Sequence, residues 1–347
     1  MSLENFGWEP FFSQQVDQNE ATLTMGRVAS QHHDLYRVFA EIGELVCNVS
    51  GRLRNQSPAA ADLPAVGDWV LFRQRELARG TILRVLRRRS QLSRRAAGNR
   101  NEQQIIAANV DTVFIVTGLD HDFSLRRMER YLSLVLDSGA APVLILNKCD
   151  LADDVEGKRL ATESIAQSVA VHLVSAVKSE TLAELNRYLS RGQTVALLGS
   201  SGVGKSTLIN SILGTELQRT KTIRSSDSKG RHTTTYRRLI PLTGGAMLLD
   251  TPGMREVQLW AGEESLHRSF ADIVEVAEGC RFRDCTHQHE PGCAVRGLID
   301  DERLASFHKQ QKELAYLHRQ TNLQAAHAEK QRWKAIHKSM RNYHPHG

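Results

Sequence analysis

Two textures of apolar and polar positions divide the chain. Between Ala21 and about Ile106, short stretches alternate at every second position, as in Tyr36-Arg37-Val38-Phe39-Ala40, Glu44-Leu45-Val46-Cys47-Asn48-Val49 and Asp68-Trp69-Val70-Leu71-Phe72. A period of two turns one strand face inward and the other to water. Gly43, Gly51, Pro58, Pro64 and Gly67 break these stretches at turn positions. About five short strands in such a length predict a small β-barrel or sandwich. The first 20 residues are polar and aromatic without a period and are expected to form a flexible arm.

From Asp111 the texture changes. Buried-type strands at 111–117, 142–146, 171–175, 194–198, 236–242 and 247–250 alternate with helical periods through 125–136, 160–167, 182–189 and 205–213. Such alternation predicts a doubly wound α/β sheet. From Ser265 the chain turns helical, passes a knot of Cys and His, and ends in a long polar helix. The expected organisation is therefore an arm and barrel over 1–105, an α/β domain over 106–262, and a mostly helical domain over 263–347.

Composition adds limits. The 347 residues are 41% hydrophobic and 24% charged, which excludes wholesale disorder. No apolar run approaches the roughly 18 residues of a membrane helix, and the start, MSLENFGWEP, lacks a secretory pattern. A cytoplasmic protein with no membrane partner is expected. Five cysteines, three of them crowded with two histidines between Cys280 and Cys293, argue for metal rather than disulfides.

The candidate chemistry starts at Gly199-Ser200-Ser201-Gly202-Val203-Gly204-Lys205-Ser206, which fits G-x-x-x-x-G-K-[ST] at every position. It follows a strand and opens a helix, the context a phosphate loop requires. Its glycines let backbone N–H groups converge on phosphate oxygens, Lys205 should reach the β- and γ-phosphates, and Ser206 should hold Mg²⁺, with Thr207 completing the run. Asn147-Lys148-Cys149-Asp150 follows another apolar strand and fits N-K-x-D. A carboxylate at Asp150 accepts from both guanine N1–H and the 2-amino group, donors that adenine does not present. Asn147 would tether neighbouring loops, the Lys148 stem would lie along the base, and Ser175-Ala176 would offer a backbone contact to guanine O6.

The order of the pieces is unusual. The guanine reader precedes the phosphate loop, so the domain reads as circularly permuted. Asp250-Thr251-Pro252-Gly253 fits D-x-x-G, with Asp250 toward Mg²⁺ and the Gly253 N–H toward the γ-phosphate. Where a water-orienting Gln often follows that glycine, this chain has Met254, whose thioether cannot orient water. Intrinsic hydrolysis should then be slow. The polar stretch Arg224–Thr235 occupies the place of a first switch; Thr234 is the expected Mg²⁺ ligand, and His232 can orient water once a partner holds the loop.

Cys280-x₄-Cys285-x-His287-x₅-Cys293 offers three thiolates and an imidazole, a set suited to structural Zn²⁺, with His289 as an alternative fourth ligand. Four protein ligands leave no open position for catalysis. The net charge is +6, and seven arginines fall between Arg84 and Arg100 with no acid among them. If the barrel is of OB type, Arg87, Arg88, Arg89, Arg94 and Arg95 would lie beside a nucleic-acid-binding face. From Asp301 onward nine Lys/Arg stand against four Asp/Glu, again suited to a phosphate backbone.

Taken together, the permuted order, the Gly230-Arg231-His232-Thr233-Thr234-Thr235 stretch and the Cys₃His cluster closely resemble the ribosome small-subunit-dependent GTPase A family (RsgA). The resemblance covers nearly the whole length. It implies an OB-fold domain, a permuted GTPase domain and a zinc-binding domain in a monomer, and a role in late maturation of the small (30S) ribosomal subunit. It further implies rRNA binding by the barrel, GTP hydrolysis stimulated by the subunit, zinc on Cys280, Cys285, His287 and Cys293, and His232 in place of the missing Gln. A lysine often found after Ser-Ala in guanine sites is replaced by Val177. A GTP-sensing RNA-binding module with little turnover is the competing expectation, and Met254 is its support.

Overall fold

The computed structural model describes residues 2–57, 59–75, 78–95, 103–166, 168–214, 237–250 and 263–316. The chain forms two compact units, one over 1–96 and 102–260, the other over 97–101 and 261–347.

In the first unit, β1 (Thr24–His32), β2 (Leu35–Ala40), β3 (Gly43–Val49), β4 (Trp69–Gln74) and β5 (Arg79–Val85) close a barrel in the order β1-β2-β3-β5-β4, with β4 returning to β1. Every pairing is antiparallel except β3 with β5, which runs parallel from Val46–Arg79 to Val49–Ile82. This is the OB-type arrangement, with a short helix, Gly51–Gln56, in the β3–β4 connection, its first turn capped by Ser50. The alternating residues do what their period requires: Val38, Leu45, Cys47, Val70, Phe72 and Ile82 fill the barrel.

The arm is not flexible. Short turns at Leu3–Phe6 and Pro10–Ser13 bury Leu3, Phe6 and Phe12. Phe6 stacks on Phe39 with centroids 5.3 Å apart, and Trp8 meets Trp69 edge-on at 4.8 Å. Its aromatics lack a period because they pack around single rings of the barrel instead of along a helix or strand. Beneath them lies Arg27, 1% exposed. Its guanidinium donates to the carbonyls of Phe6, of Gly67 (3.2 Å) and of Asn109 (2.7 Å), tying arm, barrel and the lead into the next domain. Burial, then the nearby Arg89 charge, lowers its pKa to about 9, so it remains charged at neutral pH. Arg27→Leu will leave the Phe6 and Asn109 carbonyls unpaired, Gly67 keeping the Asn109 amide as donor, and should cost about 3–5 kcal/mol; an unchanged urea midpoint would refute this role.

A hairpin of β6 (Gln91–Arg95) and β7 (Gln103–Ala108) follows. The expected boundary at 105/106 falls inside β7, because Ile105-Ile106-Ala107-Ala108 is a buried strand and not a linker.

The α/β part contains β8 (Thr112–Gly118), a helix at Leu125–Ser138, β9 (Ala141–Asn147), a helix at Val155–Ala166 and β10 (Val171–Val174). After them come β11 (Thr194–Leu198), the helix Lys205–Leu213, β12 (Arg238–Pro241) and β13 (Met247–Asp250). The strand order is β10-β9-β8-β11-β13-β12, parallel except for β12. Each strand lies within a residue or two of its expected place. The helix expected over 182–189 is instead a 3₁₀ stretch, Ser179–Tyr188, whose entry is pinned by the Thr181 hydroxyl on the carbonyls of Ser175 and Lys178. β12 also meets β1 at Ser30–Arg238, so barrel and α/β sheet are continuous.

The second unit has helices at Glu263–Ser269, Ala271–Ala277 and 301–316 around a small core of Leu266, Phe270, Ile273, Val295, Leu304, Phe307 and Leu314. Asp272 grips the Arg303 guanidinium at 2.5 and 2.6 Å. Among the described residues no helix is long and apolar enough to cross a membrane.

Candidate functional site

Because β8, β9, β10, β11 and β13 run parallel, their C-terminal ends share one edge of the sheet. That edge is where ligands bind in open α/β sheets. It gathers Asp120, Asn147, Ser175, Gly199 and Asp250, irrespective of their order in the sequence.

The phosphate-loop motif links β11 to the helix Lys205–Leu213. Gly199, Gly202 and Gly204 take φ of 153, 81 and 97°, in the region that favours glycine. A Cβ on Gly199 would lie 2.2 Å from the Val116 carbonyl oxygen, and one on Gly204 would lie 2.3 Å from Asn147 Nδ2. Val203 is buried under the loop, and the Lys205 ammonium donates to the carbonyls of Gly199 (2.6 Å) and Ser200. Ser206 is exposed on the helix's first turn, Thr207 half-buried behind it, and Ser201 exposed at the loop's crest.

Asn147 joins this loop to two others. Only 1% exposed, it donates through Nδ2 to the Val203 carbonyl (2.7 Å) and accepts at Oδ1 from the Ala176 N–H (3.0 Å). Lys148 has a left-handed φ of 64°, and its ammonium sits 2.6 Å from Asp120 Oδ2. The Cys149 N–H donates to the Val174 carbonyl, and burial pushes its thiol pKa up. The exposed Asp150 carboxyl is held below its usual range, first by the Ser175 hydroxyl. Its charged form offers two acceptor oxygens and no donor. The Ser211 hydroxyl donates to the Ala176 carbonyl at 2.6 Å, so the Ser-Ala turn is fixed from both sides.

Three residues went unnoticed in the sequence. Asp120 holds Lys148. Arg127 donates to the Ser200 hydroxyl at 2.7 Å and to Asp122 Oδ1 at 2.5 Å, bracing the phosphate loop from a neighbouring helix. Lys158 donates to the Leu119 carbonyl at 2.6 Å. The available signal was Asp120-His121-Asp122 directly after a buried strand, at the sheet edge that carries ligands.

Asp250 ends β13, 9% exposed, in register with Arg238 of β12. Thr251, Pro252, Gly253 and Met254 lie outside the described residues, as do His232, Thr234 and the rest of the expected first switch.

In the second unit the ligand atoms of Cys280, Cys285, His287 and Cys293 all lie within 4.8 Å of one another, while the exposed His289 is not in the group. His287 Nδ1 is 3.6 Å from Cys280 Sγ and 3.5 Å from Cys293 Sγ. Three thiols and an imidazole converging in this way can hold a metal ion. Desolvation pushes the Cys285 thiol up to about 11; burial opposes ionisation of Cys293 too, but the N–H groups of Arg296 and Val295 bring its pKa down. Glu290 fixes the loop, its carboxylate accepting from the N–H groups of Thr286 (2.9 Å), Gln288 and His289 (both 3.1 Å).

The arginine run is mostly committed within the fold. Arg88 grips the fully buried Asp68 through Nε and Nη2, both at 2.8 Å, and also donates to the carbonyls of Ala61 and Leu63. The expectation of Arg88 as an RNA contact gives way to this structural role. Arg89 pairs with Glu9 and Asp111. Arg87 covers the Phe11 ring, and Arg94 donates to Gln104. Arg95 ends β6, and nothing is described of its side chain.

Comparisons with known proteins agree with this architecture. The sequence model described as RsgA GTPase matches residues 85–260. One described as ABC transporter matches 182–344, a span that includes the phosphate loop but not the guanine-reading motif. "Small ribosomal subunit biogenesis GTPase RsgA" of Opitutus terrae is 45% identical, with 98% of this chain and 97% of that protein covered. The protein of the same description from Methanosarcina acetivorans is 41% identical, covering 97% and 92%. Among solved structures, YjeQ from Thermotoga maritima superposes with a TM-score of 0.63 at 28% identity, over 84% of this chain and 99% of that one. YloQ, described as a circularly permuted GTPase, gives 0.59 at 23% identity over 86% and 98%, a likeness of fold.

Proposed function

The chain belongs to the RsgA GTPase family, and from that premise we propose that it hydrolyses GTP to assist late maturation of the small ribosomal subunit. The observation that carries the reading is Asn147, whose two buried hydrogen bonds make the guanine reader, the Ser-Ala turn and the phosphate loop one rigid body. Base recognition and phosphate positioning then act together, as near-in-line transfer needs.

In this reading Asp150 selects guanine, Lys148 is held along the base by Asp120, and Lys205 with the loop N–H groups receives the β- and γ-phosphates. Ser206, Thr234 and Asp250 hold Mg²⁺, which supplies charge neutralisation across the phosphates when bound. His232 orients the attacking water, and Gly253 reads the γ-phosphate. The four-residue cluster at Cys280, Cys285, His287 and Cys293 holds zinc: a bond of about 2.3 Å to sulfur gives tetrahedral edges of roughly 3.8 Å, which the donor spacing accommodates. Ribosomal RNA is the partner of the barrel side and of the basic C-terminal segment. The protein works as a cytoplasmic monomer.

The test is phosphate release from GTP and from ATP, with and without purified small subunits, at two salt concentrations. Slow basal turnover, with a large GTP-only stimulation by subunits that falls with salt, is expected. Tight binding of GTP and subunits without stimulation would favour a GTP-sensing RNA-binding module instead, the reading Met254 supports.

A further inference from the structure

The crest of the phosphate loop is held from both sides. After it, Asn147 Nδ2 donates to the Val203 carbonyl at 2.7 Å. Before it, the half-buried Ser200 is gripped twice. The Lys205 ammonium donates to its carbonyl, and Arg127 Nη1 donates to its hydroxyl at 2.7 Å. The Ser200 hydroxyl in turn hydrogen-bonds the oxygen of Tyr131, 5% exposed and one turn further along the Arg127 helix.

The two grips on Ser200 fare differently when a nucleotide arrives. An ammonium has three donors on a flexible stem. Once Lys205 shares them with phosphate oxygens, its hold on the Gly199 and Ser200 carbonyls weakens. Arg127 is anchored outside the loop instead. The same Nη1 donates to Asp122 Oδ1 at 2.5 Å and to the Asp122 carbonyl at 3.2 Å. The Asp122 N–H donates to Asp120 Oδ1 at 3.0 Å, and Asp120 Oδ2 accepts from the Lys148 ammonium at 2.6 Å. A continuous run of hydrogen bonds therefore joins Lys148 of the guanine-reading motif to Ser200, by a route separate from Asn147. With side chains 39% and 22% exposed, Arg127 and Asp122 contribute little stability as a charge pair. What the pair supplies is direction.

We infer that Arg127 is a positioning residue for phosphoryl transfer: it keeps Ser200, and with it the crest N–H groups, in place while Lys205 turns to the phosphates. The inference rests on the reading of the chain as a GTP hydrolase. A crest that yields by about 1 Å still binds nucleotide but presents its donors out of line, an error that can cost about 10²-fold in rate. The loss therefore falls on turnover and spares binding.

The test combines steady-state hydrolysis of GTP in the presence of small subunits with hydrogen exchange at the phosphate-loop amides of the full chain. Arg127→Gln should lower kcat about 10- to 30-fold, change KM less than about threefold, and speed amide exchange over Ser200–Val203. Ser200→Ala should do the same. The double variant should be little worse than either, because both remove one bond. Arg127→Lys keeps a charge and a donor but not the planar fork, and should recover part of kcat. Unchanged kcat in Arg127→Gln would overturn the inference. So would a lower melting temperature with a KM that rises as much as kcat falls, which would make Arg127 a packing residue only. If the wild-type chain releases no phosphate from GTP, the hydrolase reading fails and the exchange rates decide: faster loop amides in both variants uphold the brace, and unaltered ones refute it.

Discussion

Chelation of the metal, or Cys285→Ser, will unfold the C-terminal unit while leaving the nucleotide domain able to bind GTP. The described part of this unit has seven buried apolar side chains at its centre, few for a free-standing fold. Its 280–293 segment contributes backbone turns and no helix or strand. A metal ion held by the four residues would add to these turns a folding free energy on the order of 10 kcal/mol. The hydrogen bonds to Glu290 preset the middle of the loop, and its two ends meet through the Arg281 N–H on the Gly292 carbonyl at 3.1 Å and the Ala294 N–H on Cys280 Sγ at 3.4 Å. Circular dichroism and thermal melting of the full chain before and after chelation will show a lost helical fraction and a new low-temperature transition. A metal-free chain with an unchanged melting profile would contradict the assignment, as would metal analysis finding less than one equivalent in the native protein.

Asp150→Asn should reverse the base preference. The carboxylate accepts from two donors on guanine, and a hydrogen bond to a charged group contributes about 1.5–3 kcal/mol. Losing one acceptor and turning an amide N–H against a donor should weaken GTP binding roughly 10²–10⁴-fold. Xanthosine triphosphate carries a carbonyl where guanine has its 2-amino group, so it should gain by a comparable factor. The fold will tolerate the change, since Asp150 is exposed and the loop's shape depends on Asn147 and Lys148 instead. Competition between the two nucleotides measures the effect directly, and retained preference for GTP would remove Asp150 from the guanine site.

Much of this was legible in the sequence because the signals are local. The strand at Thr194–Leu198, the glycines of the phosphate loop and the helix from Lys205 follow from adjacent residues and their backbone requirements. The barrel's alternation was equally direct, although its closure through a parallel β3–β5 pair was not, since pairing partners far apart leave no mark on either segment. The arm was misread for a related reason: Phe6, Trp8 and Phe12 have no period because each packs on a different ring. The run of arginines misled in the opposite way. Charge density says nothing about which guanidinium meets a carboxylate, and Arg88 finds Asp68 twenty residues earlier in the chain. Arg127 was invisible because it touches the phosphate loop only through the fold, whereas Asp120 left a faint signal in its place after a buried strand.

The joint between β1 and β12 bears on how the chain behaves in solution. A strand at the rim of a sheet presents unpaired N–H and C=O groups to which any second chain can add. At its start β12 meets the chain's own barrel, through Ser30 and Arg238. The barrel is a closed ring with no rim of its own. Among the described residues, the opposite rim of the α/β sheet is β10, only four residues long. The pairing of barrel and α/β sheet thus covers part of the molecule's exposed β-rim and leaves fewer free backbone groups to which a second chain could add.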